Sequence, residues 1–220
     1  TSHCLVGSEM CIRDRCHAQQ SVYNWVDDTR AARAKSLELA ERAADLSSDD
    51  PLILTVLGTV HTFSRNYGAA KVLLERAVAL DPNAAWAWSR LGWLATYTDR
   101  PSEAQSHFER ALRLSPVDPM NFNNYVGLAS SFQVEGKDNE AAEMFRRALD
   151  ERPNALWIHR NLAPALLGAG REEEARRSYD ALVAAYPSFT VENFKEAMVF
   201  SPHVLDRIGN LLAQLGVPER

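Results

Sequence analysis

The strongest constraint on this chain is a spacing. Leu57, Leu91, Leu128 and Leu162, each followed by Gly or Ala, are separated by 34, 37 and 34 residues. Ala70, Ala104, Ala141 and Ala175 take the same steps, with Leu74, Phe108, Phe145 or Tyr179 four positions later, and Pro82, Pro116, Pro153 and Pro187 take them again. Three series sharing one period and one three-residue excess mark a chain built from copies of one supersecondary unit. The excess is placed at Pro119-Met120-Asn121, which gives units 51–84, 85–118, 122–155 and 156–189.

Within each unit the periodicity is helical. Trp88, Leu91, Gly92 and Ala95 make one apolar stripe at spacing i, i+3, i+4, i+7, and Ala104, Phe108, Ala111 and Leu112 make a second. Polar turns such as 98–101 and 135–138 join the two, and a proline ends the second because it cannot continue the helical ladder. One such pair cannot bury its apolar face alone, so the units must stack. The second unit, with Trp88-x-x-Leu91-Gly92, Ala104-x-x-x-Phe108, Ala111 and Pro116, resembles the tetratricopeptide repeat. That resemblance implies an all-α fold, an α-solenoid of helix-turn-helix repeats with a C-terminal capping helix. Departures are Ala95 for the frequent Tyr, Leu54, Tyr125 and His159 for Trp, and Pro164 inside a first helix.

The ends are read separately. Residues 17–50 form a degraded N-terminal repeat, with a helix predicted over 31–46. Residues 190–220 supply a short bridging helix over 190–197 and a cap, in which Ser201 and Pro202 open a stripe of Val204, Leu205, Ile208, Leu211, Leu212 and Leu215. The first sixteen residues hold all three cysteines, Cys4, Cys11 and Cys16, yet 5–14 looks like a translated sequencing adapter, so 1–16 is expected to be a disordered artefact and no metal is expected there. The reading frame is then expected to be truncated on that side.

Twenty-four Lys and Arg against 29 Asp and Glu leave no basic excess, so nucleic acid is not an expected partner through this segment. The longest uncharged apolar run, 51–60, is about half of the roughly 20 residues that a spanning helix needs, so no membrane is expected either. With at most Cys16 native to it, the chain is nearly free of cysteine, and a reducing, cytoplasmic location is expected. No catalytic motif is present, and the chain is expected to be neither an enzyme nor a cofactor binder. His61, His107, His159 and His203 read as structural residues. Glu172-Glu173-Glu174 reads as a negative helix start, and Arg146-Arg147 and Arg176-Arg177 as solvated faces.

The tetratricopeptide resemblance directs function to the concave face of the first helices. In the first unit this face reads Leu52, Thr55, Thr59, Thr62 and Phe63. In the others Trp86, Ser89, Trp93, Tyr97, Asn123, Trp157 and Arg160 are the candidate contacts for a protein or peptide, since Trp, Tyr and Arg dominate binding hot spots. The alternative is that these aromatics pack against neighbouring helices as core. Carboxylate-clamping relatives carry Lys and Asn on this face, where Thr55, Ser89, Val126 and Arg160, then Thr59, Trp93, Ser130 and Pro164 stand here, which disfavours a co-chaperone role. The closing stretch 187–219, and 112–119 with its insertion, resemble the tetratricopeptide end of bacterial class III adenylate cyclases and winged-helix regulators. This resemblance implies a regulatory module of a bacterial signalling protein with a fused output domain, the alternative being a stand-alone scaffold.

Overall fold

The computed structural model describes residues 31, 34–38 and 49–220. The adapter-like stretch 1–16 and most of the degraded repeat over 17–50 lie outside the described residues; 31 and 34–38 are helical. From residue 51 the described chain forms α1 (Pro51–Phe63), α2 (Tyr67–Leu80), α3 (Ala85–Tyr97), α4 (Pro101–Leu114), α5 (Asn121–Glu135), α6 (Asp138–Glu151), a 3-10 turn (Leu156–Ile158), α7 (His159–Gly168), α8 (Glu172–Ala185), α9 (Val191–Ala197) and α10 (Pro202–Leu215). No strand occurs among the described residues. The chain divides into two compact units, one ending at Leu94 and one from Ala95 to Arg220.

In the first unit, Asp50 caps α1 by accepting Leu52 N–H at 2.7 Å, and Pro51 takes a position where no backbone donor is needed. Helix α1 is buried at every position from Ile53 to Val60. Gly58 lets Leu74 of α2 come down onto the α1 backbone, and Leu74, Ala70, Leu91 and Leu94 form one cluster. Leu54, Ala77 and Ala87 form a second. Complete burial of Leu74 is worth roughly 1.5–3 kcal/mol.

In the second unit, α4 and α5 meet where the fully buried Phe108 ring lies on Gly127. Phe145 fills the corresponding register of α6, while Tyr179 of α8 is only partly buried and donates its hydroxyl to Gly216 O at 3.2 Å. Asn121, expected within the insertion, is instead the first residue of α5; its Nδ2 donates to Ser115 O at 2.8 Å and ties the longer loop back to the helix. The stretch before α7 is a 3-10 turn, and Pro164 inside α7 has no N–H for the carbonyl of Arg160.

The C-terminal region departs from the repeat. Thr190 caps α9 by accepting Asn193 N–H at 3.1 Å, but α9 stops after seven residues. Met198, Val199 and Phe200 then cross as a buried non-helical segment, and α10 packs on α7. Ser201 occupies the cap position of α10 without accepting a backbone N–H of the helix; its hydroxyl donates to Asp99 Oδ1 at 2.9 Å and lies 3.1 Å from His203 Nδ1. Val204, Leu205, Ile208, Leu212 and Leu215 are buried, and Gly209 rather than Leu211 completes the buried face.

Candidate functional site: the first-helix face

Tandem helix pairs leave one face of each first helix free of its own partner, and the candidate contacts sit there at helical spacing. In the first unit Ser89 and Trp93 are buried, while Trp86 is half-buried. The threonines of α1 spend their hydroxyls on their own helix: Thr55 donates to Pro51 O, Thr59 to Thr55 O and Thr62 to Gly58 O, at 2.6, 2.7 and 2.7 Å. Leu52 is half exposed.

In the second unit the candidates fall into two groups. Asn123 and Trp157 are half-buried, and the guanidinium of the buried Arg160 lies 5.4 Å from the Trp157 ring centre, in range of a cation–π contact. Tyr97, at the end of α3, is buried against Phe200 of the C-terminal segment, with ring centres 5.2 Å apart and planes at 67°. This is the edge-to-face geometry that aromatic quadrupoles favour. Beside it Asp99 holds a left-handed backbone (φ 55°), a conformation that Asp tolerates better than most residues, and its carboxylate accepts the Ser201 hydroxyl.

Further along the same segment, Arg207 Nη1 donates to both carboxylate oxygens of Asp138 at 3.0 and 2.8 Å, and its Nη2 donates to Gln133 O. Burial pushes the Asp138 carboxyl above its ordinary range, against the pull of Arg207. Residues 198–215 therefore run past the ends of α3 and α5 and the start of α6 and pack onto α7; of the candidate contacts, Tyr97 meets this segment. None of Phe200, Ser201, Arg207, Asp99 or Asp138 was a sequence candidate. The available signal was the extra arginine in an apolar helix, Arg207, with no acid partner one turn away on its inner side.

This face also buries polar groups. Gln133 is fully buried, with Nε2 donating to Asn161 O at 3.4 Å. Among the described residues Asn124 Oδ1, Ser130 Oγ, Gln133 Oε1 and Asn161 Oδ1 receive no hydrogen bond. Each such group costs about 1–3 kcal/mol when buried unmet, so these first helices are not optimised as a plain core.

A cleft of about 700 Å³ lies among α6, α7 and α8, lined by Glu143, Arg146, Arg147, His159, Glu174 and Ser178. His159 Nδ1 and Ser178 Oγ are 2.8 Å apart, and burial pushes the imidazole below its ordinary 6.5, which favours the neutral ring. Ser178 lies in the middle of α8, whose N–H groups are spent in the helix, so no oxyanion donors flank the pair and it reads as a packing contact. Arg146 is not simply solvated: Glu174 accepts from both Arg146 and Arg171, and Glu143 accepts from Arg171 at 2.6 Å. Among the described residues there is no cluster of metal-ligating side chains and no helix long and apolar enough to cross a membrane.

Two tetratricopeptide-repeat family models match the chain, over residues 55–119 and 135–197. The chain carries tetratricopeptide repeats, and its fold class is the all-α solenoid of that repeat. It is similar to the peroxisomal targeting signal receptor of Komagataella phaffii, 29% identical over 149 residues, which are 67% of this chain and 23% of that protein. It is also similar to cellulose synthase operon protein C of Xanthomonas axonopodis pv. citri, 27% identical over 162 residues, 71% of this chain and 11% of that protein. The chain thus spans less than a quarter of these relatives. Among solved structures, Pseudomonas aeruginosa pilF superimposes with a TM-score of 0.63 at 17% identity, covering 94% of this chain and 92% of that one. The Cut9-Hcn1 hetero-tetramer of APC/C gives a TM-score of 0.66 at 19% identity, over 76% of this chain and 34% of that one. These structural likenesses concern the fold alone. Tetratricopeptide repeats mark the chain as a protein–protein interaction module.

Proposed function

We propose that this chain binds a protein or peptide through the first-helix face of its repeats, as the C-terminal regulatory part of a cytoplasmic bacterial signalling protein whose output domain is a cyclase or a winged-helix regulator. The observation that supports the binding reading is that residues 95–220 hold an extended-then-helical segment of their own chain at the ends of these first helices, through Tyr97 on Phe200, Asp99 on Ser201 and Asp138 on Arg207. The signalling context rests on the resemblance of 187–219 and 112–119 to the closing region of cyclase- and regulator-linked repeats.

Two measurements test the two levels. An uninterrupted sequencing read across the source locus supports the signalling context if a cyclase or winged-helix domain lies upstream in frame. A start codon just before the degraded repeat overturns it in favour of a stand-alone scaffold. For the binding face, Trp157→Ala is expected to abolish partner capture with melting little changed, because Trp157 is half-buried and lies against the Arg160 guanidinium. Trp93→Ala is expected to lose about 3–5 kcal/mol, since Trp93 is 8% exposed. Partner capture that survives Trp157→Ala removes this residue from the site.

A further inference from the structure

We propose that residues 198–217 are an autoinhibitory arm: an exchangeable occupant of the first-helix face of residues 95–220, which leaves when a partner segment of the same chemistry takes its place. That chemistry is an apolar helix led by an aromatic ring and carrying one arginine. The inference rests on the reading of this face as a polypeptide-binding surface.

The arm is not a continuation of the repeat. At the spacing where a further first helix would run, α9 ends at Ala197 and the chain turns extended, with Met198 at φ −85°, ψ 148°. From there it returns to Tyr97 and Asp99, about a hundred positions earlier in sequence. The arm's backbone meets α9 through Met198 N–H on Phe194 O and, just past its end, through Pro218 O and Glu219 O, which accept from Val191 and Glu192 N–H; Gly216 O accepts the Tyr179 hydroxyl of α8. Three of its side chains add contacts with the repeats of a kind that another segment can reproduce: Phe200 edge-on to Tyr97, the Ser201 hydroxyl on Asp99, and Arg207 on Asp138 and Gln133 O.

The Arg207–Asp138 pair sets register more than it adds strength. The Asp138 side chain is 12% exposed, and the cost of removing its charge from water offsets much of the attraction to Arg207. An Asp138 left without a cation is costly, so the face discriminates against any occupant that lacks a basic residue at this point. The apolar remainder, Val204, Ile208 and Leu212, is buried and defines the stripe that a competitor must match.

Hydrogen exchange on the full chain in low denaturant is the first test. If the arm opens by itself, amides of α10 exchange at least roughly tenfold faster than those of α5 and α7 through a sub-global opening. Identical exchange of all three through one global unfolding means that α10 is fixed core and overturns the proposal. The second test uses a labelled synthetic peptide of residues 198–217. It is expected to bind the full-length Phe200→Ala/Arg207→Ala variant at least about tenfold more tightly than the parent chain, whose face is occupied. An Arg207→Glu peptide is expected to lose binding and to regain it on an Asp138→Arg host. A variant that stays helical but ignores the peptide, or one that unfolds, overturns the proposal. A fixed arm leaves Trp157-dependent partner capture intact, whereas failure of the binding reading removes that capture whatever the arm does.

Discussion

Gly127 decides how closely α4 and α5 approach. A methyl group there would overlap the Phe108 ring, which is fully buried and has no space to retreat into. Gly127→Ala is therefore expected to destabilise by about 1–3 kcal/mol in urea unfolding, as overpacking does. Gly68, in the first turn of α2, has open space where a Cβ would stand, so the same substitution is expected to stabilise by about 0.5–1 kcal/mol through loss of unfolded-state entropy. Equal effects at both positions would contradict the packing described. The sequence period placed the small residue of the third unit at Ala129; nothing in the pattern singled out Gly127, because its role depends on which neighbouring ring arrives there. His159 carries a second prediction at this scale. Its folded value is depressed, so its neutral burial is fully compatible with stability above about 6.5, and stability falls as pH drops through and below that point, where the unfolded chain binds the extra proton. The loss in unfolding midpoint between neutral pH and mildly acidic pH is expected to shrink in His159→Gln. Glu143, Glu174, Asp150, Arg146, Arg147 and Arg177 line the same cleft.

Between elements, the ion pairs that join α6 to α8 were invisible residue by residue. Arg146 and Arg147 read as a solvated face, and Glu172-Glu173-Glu174 as a helix start; the second reading holds, with all three acids in the first turn of α8. What stacking adds is that Arg146 meets Glu174 and Glu143 meets Arg171, both at an offset of 28 residues. Opposite charges recurring at one offset shorter than the repeat period are the signal that could have found them. Two guanidiniums hold the Glu174 carboxyl at about 2, far below its usual 4.5. The carboxylate's contribution is thus present above 4.5 and lost as pH falls from there towards 2. A carbon-13 titration of Glu174 is expected to give a midpoint near 2, rising towards 4.5 in Arg171→Ala. A midpoint already at the ordinary value would mean that the pairs do not persist in solution. The arm shows the opposite limit of the sequence. Its stripe, its start at Pro202 and its end at Gly216 were legible, since they depend on local propensity. Its docking partners were not, because Phe200 meets Tyr97, and Arg207 meets Asp138, only once the fold brings together residues 103 and 69 positions apart.

For the whole molecule, the distribution of tryptophan makes the binding face directly observable. Among the described residues Trp86, Trp88 and Trp93 lie on α3 and Trp157 lies in the turn that leads into α7, while α2, α4, α6, α8 and α10 have none. Trp88 is engaged within its own turn, donating to Pro82 O at 2.9 Å. Trp86 in the first compact unit and Trp157 in the second are half-buried candidate rings, so removing water from the candidate residues of either unit must change their surroundings. The arm itself contains no tryptophan, and neither would a peptide copied from it, so emission reports the host alone. In a Trp25→Phe background, which leaves only these four rings, a partner that binds the first-helix face is expected to shift emission to the blue and to protect it from a soluble quencher. A partner that docks on the second helices would leave the spectrum unchanged. The result separates the two faces before any partner is identified by structure: a bound complex with unaltered tryptophan emission would move the functional surface of these repeats to the second helices, and with it the significance of the arm.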